Sequence, residues 1–397
     1  MPADALLTYA WVRSTYTAVR SLSRLGLRVA VADTGRLGMS QCSRLARYTG
    51  RYASPLTEPQ AFIRDVSTLL ERSGARFLLP GHDETEVLAR YRESLPREVI
   101  LPVAPVEKIA LANDKARMIA RAGDWGVPVP AVIPWDDLSD LARQLQGNAR
   151  PLVVKLRRGN SAKGVFYPHS NEEAVQLCAD LIARYRLPPA RYPVVQERVT
   201  GEGWGVSCLY WEGRHLASFT HRRLREKTVT GGTSTLRESR RNPLLEEMAR
   251  TLLDKLEWHG LAMVEFKFDP ASGEGWFIEI NPRLWGSIHL AVASGVDFPA
   301  WLYLAATQGP QVVRAQTRPQ QEGIVARWYL GDCIAAVGAL RRGETAVALK
   351  MLLPGGADTY DDWFWDDPCA FLGEAVYYLR GFLQSRSLNP EAEGMLG

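Results

Sequence analysis

Short apolar runs alternate with segments of helical period through the first quarter of the chain. The pattern predicts a strand at 5–10, a helix at 15–25 stopped by Gly26, a strand at 27–33, a helix at 62–72 and a strand at 75–80. Strand–helix–strand order predicts a parallel, doubly wound α/β unit over residues 1–105, closed by Leu101-Pro-Val-Ala-Pro105. Its first turn, Tyr9-Ala-Trp-Val-Arg-Ser14, lacks Gly-x-Gly-x-x-Gly, so NAD is not assigned to it. Asn113-Asp114 then cap a helix over 115–121, ended by Gly123.

The alternation becomes strand-rich further on. Strands are predicted at 152–156, 165–167 and 194–197, with a helix at 172–185. Residues 205–210 and 215–220 pair around Trp211-Glu-Gly-Arg214, and 243–256 is helical. Two strands, 262–268 and 276–280, flank the turn-rich Asp269-Pro-Ala-Ser-Gly-Glu-Gly275. Beyond about residue 310 the pattern weakens, leaving helices at 328–340 and 371–382. The expected units are 1–105, 106–195, 196–310 and an extension over 311–397.

The most informative pair is Glu265 and Glu279. A symmetric hairpin sets 268 against 276 and Glu265 directly opposite Glu279. Like charges so placed destabilise a sheet unless a cation lies between them. Asn281, two residues on, points to the same face. Two carboxylates and an amide offer oxygen ligands suited to Mg²⁺ that also holds phosphates. A solvated hairpin face countered by Lys267 is the competing reading.

Composition narrows the class without choosing within it. The 397 residues are 46% hydrophobic and 23% charged, as in a globular protein with room for two to four domains. A net charge of +4 gives no argument for a nucleic-acid binder. The basic clusters Arg157-Arg158 and 221–227 read as solvated surface. Cys42, Cys178, Cys208, Cys333 and Cys369 show no close spacing, so neither zinc nor disulfides are expected and a reducing cytoplasm fits. Neither a secretory signal nor a membrane-spanning run is evident.

Lys155 ends an apolar strand, and the loop Arg157-Arg-Gly-Asn-Ser-Ala-Lys-Gly164 follows at once. Glycines let such a loop present backbone N–H groups to anions, and a lysine beside it reaches the same phosphates. It is not a P-loop, because Val165 and Phe166 stand where Lys and Ser/Thr are needed. A plain hairpin turn is the alternative.

In order along the chain come Lys115, Lys155 with its loop, Gln196-Glu197, Met263-Val-Glu-Phe-Lys267 and Phe277-Ile-Glu-Ile-Asn-Pro-Arg-Leu-Trp-Gly-Ser287. With these the sequence resembles the ATP-grasp superfamily of carboxylate–amine ligases, over roughly residues 1–310. The resemblance implies an N-terminal parallel α/β domain, then two α+β subdomains clasping ATP. Lys115, Lys155, Gly159, Ser161 and Gly164 would contact or cover the nucleotide phosphates. Gln196, Glu197, Arg198 and Val199 would form the adenine hinge, and Glu202 would meet the ribose. Glu265, Glu279 and Asn281 would hold one or two Mg²⁺ ions, with Mn²⁺ an alternative. Arg283, with Lys155, would stabilise the transferred phosphoryl group.

The implied activity joins a small carboxylate to an amine, with amino acids or peptides as the family expectation. For these substrates His82, Gly232, Ser234, Arg283, Gly286 and Ser287 are candidates. The segment Gly231-Gly-Thr-Ser-Thr235 is expected to be a flexible loop, and Tyr360-Asp-Asp-Trp-Phe-Trp-Asp-Asp-Pro368 to pack the C-terminal segment onto the core. No nucleic-acid or membrane partner is expected, and a homodimer is compatible. A small-molecule kinase and a non-catalytic ATP-binding protein remain as alternatives on the same scaffold. A carboxylase acting on biotin is disfavoured, since no segment resembles a biotin carrier.

Overall fold

The computed structural model describes residues 2–159, 164–228 and 231–385. Three sheets organise the chain. The first holds β1 (Ala5–Leu7), β2 (Val29–Asp33), β3 (Ala46–Arg51) and β4 (Phe77–Leu79), all parallel in the order β3-β2-β1-β4. Helices α1 (Arg13–Arg24), α2 (Pro59–Ser73) and α3 (Glu84–Arg90) belong to this unit. Strand β3 and helix α3 escape the hydrophobic pattern for a plain reason. Ala46-Arg-Tyr-Thr-Gly-Arg51 is an edge strand with little apolar content, and the first turns of α3 bury Glu84 and Glu86 rather than leucines.

Next come α4 (Val106–Asn113) and α5 (Lys115–Asp124). Ile109, Ala112, Met118 and Ile119 pack in the core shared with α2 and the largest sheet, not in that of the small sheet. The small sheet holds β5 (Val132–Ile133), β6 (Leu152–Lys155), β7 (Val165–Phe166) and β8 (Val194–Glu197), antiparallel in the order β5-β8-β6-β7. Helices α6 (Leu138–Gln144) and α7 (Asn171–Tyr185) give it a separate core around Leu141, Val154, Cys178 and Val195. A subdomain with its own core can move as a body.

The largest sheet runs β13-β12-β9-β10-β11-β14-β15. Its strands are β9 (Glu202–Trp211), β10 (Arg214–Thr228), β11 (Gly231–Ser239), β12 (Gly260–Asp269), β13 (Glu274–Asn281), β14 (Val325–Arg327) and β15 (Thr359–Tyr360). Helix α8 (Pro243–Lys255) connects β11 to β12, with Asn242 capping it through Leu245 N–H. Helices α9 (Ile288–Ala293), α10 (Phe298–Gln308) and α11 (Pro310–Gln316) follow the acidic hairpin. The last elements are α12 (Tyr329–Arg341), α13 (Thr345–Leu352) and α14 (Pro368–Ser385). Among the described residues no helix is long and apolar enough to cross a membrane.

Two expectations need correction. Residues 231–235 belong to a strand, not a loop. Their β-branched threonines and their place opposite β10 favour pairing, and the Ser234 hydroxyl lies within donating distance of the Arg225 and Leu236 carbonyls, at 3.0 and 2.9 Å. The cluster 221–227 is likewise inner-strand rather than solvated surface: His221 is buried and Arg223 faces the cavity described below.

The C-terminal segment is tied to the body by buried charge. Asp361 pairs with Arg13 at 3.2 Å and with Arg237. Asp332 takes Arg225 and, at 2.6 Å, Arg327. Asp367 accepts from Tyr16 at 3.0 Å and from Arg44 N–H at 3.1 Å. In the acidic stretch after Tyr360, Asp361, Asp362 and Asp367 are therefore turned inward, while Trp365 is exposed.

Candidate active site

A cavity of about 730 Å³ lies where all three sheets meet. One wall is the acidic hairpin. Glu265 stands opposite Glu279, and Met263 opposite Asn281. The expected pairing of 268 with 276 is displaced by one residue, since Phe268 faces Gly275. An irregularity between Glu265 and Phe266 absorbs the difference, as a bulge does. It leaves the two glutamates matched and Ile278 facing the cavity with them.

Each carboxylate already meets a cation. Lys115 Nζ lies 3.1 Å from Glu279, and Arg223 Nη2 lies 2.5 Å from Glu265. Asn281 Nδ2 donates to Glu265 at 2.9 Å. Burial would raise both glutamates. It prevails at Glu265, with Glu279 adding repulsion, while Lys115, Lys155 and Arg283 outweigh it and hold Glu279 below the ordinary carboxylate range. The two facing carboxyls are thus shifted in opposite directions. Among the described residues no group of three His, Cys, Asp or Glu side chains gathers as a metal cluster. The oxygen set here is two acids and one amide.

Asp114 caps α5 by accepting from Arg117 N–H at 3.2 Å, and this presents Lys115 at the helix start. Lys115 also donates to the Gly159 carbonyl at 2.6 Å. Lys155 ends β6 and is buried; desolvation pushes its ammonium down to about 8, against the pull of Glu279. Gly159 and Gly164 line the cavity, whereas Ser161 lies outside the described residues. Gly164 has φ +76°, and a Cβ there would strike Leu156 at 2.9 Å, so the loop's return requires glycine. Arg157 and Arg158, expected on the surface, remain partly exposed and are also ion-paired. Arg157 binds Asp114 at 2.9 Å and Arg158 binds Glu86 at 3.2 Å.

The expected hinge is brought in partly. Glu197, Arg198 and Val199 line the cavity. Gln196 does not: it is buried the other way and donates to the Pro130 carbonyl at 3.2 Å. Strand alternation sends neighbours to opposite faces, so 196 and 197 could not both point in. Glu202 is also outside the lining; it accepts from Trp204 Nε1 at 3.2 Å and faces Arg222 at 3.5 Å. Pro130, Val153, Phe266 and Ile278 supply the apolar lining.

Arg283 reaches Asp83 at 3.1 Å, and Asp83 also meets His82 at 3.2 Å. Burial acts against Asp83, yet His82, Arg283 and Lys115 hold its carboxyl well down. His82 stacks on Tyr9 at 5.1 Å. Gly232, Ser234, Gly286 and Ser287 all line the cavity. Arg13 donates to the Gly286 carbonyl at 3.0 Å, and Ser287 Oγ meets His221 Nε2 at 3.2 Å.

Sequence reasoning missed Arg223, Glu226 and Asp83, and every C-terminal residue of the lining. Arg223 lies between Glu226 at 3.3 Å and Glu265, on β10, which β9 separates from the acidic hairpin, so only the strand order of the sheet brings it here. Trp328, Glu374 and Tyr378 gave no signal either, because only tertiary folding brings them here.

A family model described as "ATP-grasp in the biosynthetic pathway with Ter operon" matches residues 190–330. Acetyl-CoA carboxylase 1 of Arabidopsis thaliana is 27% identical over 172 residues, covering 38% of this chain and 7% of that protein. The rice (Oryza sativa subsp. japonica) acetyl-CoA carboxylase 1 is 25% identical over 139 residues, 34% of this chain and 6% of that one. The matches therefore span less than a tenth of these relatives. The biotin carboxylase domain dimer of Hydrogenobacter thermophilus 2-oxoglutarate carboxylase, with MgADP, ADP and bicarbonate, is similar at a TM-score of 0.63 and 16% identity. That similarity covers 82% of this chain and 74% of the other. N5-carboxyaminoimidazole synthetase from Staphylococcus aureus, with ADP, gives 0.60 at 16% identity, over 80% and 79% of the two chains. At these identities the likeness is one of fold.

Proposed function

We propose that this chain, a member of the ATP-grasp superfamily, is an ATP-dependent, ADP-forming ligase that activates a carboxylate and passes it to an amine. The observation that carries the reading is the meeting of Glu265, Glu279, Asn281, Lys115, Lys155 and Arg283 around one cavity. Their chemistry fits MgATP. Two facing carboxylates are a liability that Lys115 and Arg223 now offset, and Asn281 adds a neutral oxygen on the same face. Mg²⁺, or Mn²⁺, held by Glu265, Glu279 and Asn281 would neutralise phosphate charge.

The chain's own groups do the rest. Lys115 and Lys155 hold the phosphates, Lys155 as a buried point charge that the nucleotide would keep protonated. Glu197 to Val199, with Phe266 and Ile278, take the base. Arg283 neutralises charge on the group in transfer. A substrate carboxylate oxygen attacks the γ-phosphorus, the bond to ADP breaks, and an acyl phosphate forms. Phosphoryl transfer of this kind needs alignment and charge neutralisation more than covalent help. The amine then attacks the acyl carbon, phosphate leaves, and the nitrogen loses its proton. The small sheet, with its own core, is suited to cover a water-sensitive intermediate.

A second reading makes bicarbonate the carboxylate. It is favoured by the carboxylases among the similar chains, one of them with bicarbonate bound. Mass detection of products from MgATP with pooled amino acids, against MgATP with bicarbonate and amines, separates the two. An amide supports the first and a carboxylated amine the second. A stable phosphorylated compound alone would favour a kinase.

A further inference from the structure

The cavity has an end that the nucleotide reading leaves unused. It is walled by Trp11, from the turn after β1, and by Trp328, Glu374 and Tyr378 from the C-terminal segment. Trp11 stacks on Tyr377 at 4.4 Å with planes 7° apart, which fixes α14 against the N-terminal domain. Trp328 Nε1 donates to Glu374 Oε1 at 3.1 Å. Glu374 is 2% exposed, and its Oε2 is buried without a hydrogen-bond partner among the described residues. Leaving a buried carboxyl oxygen unpaired is costly, so such an atom asks for a ligand.

Charge counts single out the same group. Among the described residues, five acidic ones line the cavity. Glu197, Glu226, Glu265 and Glu279 each pair with a basic side chain. Glu374 has no such pair among the described residues. The nearby Arg13 is matched by Asp361 at 3.2 Å and lies over the Trp328 ring at 3.9 Å. Lys227 lies over the Trp328 and Tyr378 rings, at 5.7 and 5.5 Å. Burial and the neighbouring Asp362 push the Glu374 carboxyl well up, against the pull of Arg13.

We infer that Glu374, framed by Trp11, Trp328 and Tyr378, is the subsite that recognises the amine co-substrate as its ammonium form. This deepens the ligase reading and rests on it. It also gives the C-terminal segment a function: α14 completes the chamber and sets which amine enters. The aromatic frame fits a flat or apolar amine better than a highly hydrated one.

The test uses the full chain and two probes of like shape, benzylammonium and benzyl alcohol, titrated by saturation-transfer NMR. A charge-assisted hydrogen bond to Glu374 predicts about tenfold tighter binding of the ammonium. Glu374→Gln should shrink that preference to under about twofold, and Glu374→Asp should keep part of it. MgATP affinity by calorimetry should be unchanged in both variants. Equal binding of the two probes, binding of neither at millimolar concentration, or a preference that survives in Glu374→Gln would overturn the assignment. If neither variant folds, equal binding of the two probes by the wild-type chain still overturns the assignment. An ammonium preference in a protein that does not bind MgATP would sink the nucleotide reading while leaving the subsite standing.

Discussion

Replacing Lys155 with Met should make the protein more stable and worse at binding ATP. The side chain is 7% exposed, and burial carries its ammonium from an ordinary 10.5 to about 8. In the unfolded chain the same ammonium is hydrated. Below pH 8 both states hold the proton, so the fold bears the burial cost, with a ceiling of roughly 3 kcal/mol from the pKa difference. Relaxation of the site around the ammonium reduces the gain to about 1–2 kcal/mol. For a chain of this size that raises Tm by about 1–2 °C. Against this, loss of a charge-assisted phosphate contact weakens ATP binding by about 10- to 150-fold. Differential scanning calorimetry of the nucleotide-free protein and titration calorimetry with MgATP measure the two effects. A fall in both quantities would make Lys155 a structural residue. Unchanged ATP affinity would remove it from the site.

Three further outcomes follow from the same geometry. Glu279→Gln keeps the shape of the hairpin but removes the charge that Lys115 faces at 3.1 Å; it should abolish MgATP turnover with circular dichroism unchanged, and normal turnover would exclude this glutamate from the site. Asp361→Asn strips the counter-charge from buried Arg237 and Arg13, so urea unfolding should show a loss of about 3–5 kcal/mol, and a change below about 1 would refute the buried network. His289 is buried against Thr359 at 2.8 Å, and burial lowers it from 6.5 to about 4. Between those values the unfolded state binds the proton and the fold does not, so stability falls as pH drops through that window. His289→Asn should flatten the fall, and an unchanged slope would show that other groups cause it.

The sequence disclosed the site's acidic hairpin because strand alternation is local. Glu265, Glu279 and Asn281 share a face by parity alone, and the bulge that shifts the outer register left that parity intact. Lys115 was legible because Asp114 caps the helix it begins. Gln196 was misplaced for the same local reason, since a strand that points Glu197 inward must turn its neighbour away. The 231–235 segment misled because glycine and serine suggest a loop, while pairing to β10 makes it strand. Arg157 and Arg158 read as surface because their partners, Asp114 and Glu86, are distant in sequence. Glu374 illustrates the limit: nothing near it in the chain distinguishes it from any helical glutamate, and its role depends on Trp328 and Trp11 arriving beside it.

The central claim is that the cavity consumes ATP to join a carboxylate to an amine. The most direct measurement is nucleotide product analysis with MgATP, pooled amino acids and small carboxylates, read together with mass detection of condensed products. ADP and phosphate in equal amounts, with one new amide, are expected. AMP with pyrophosphate would contradict that claim.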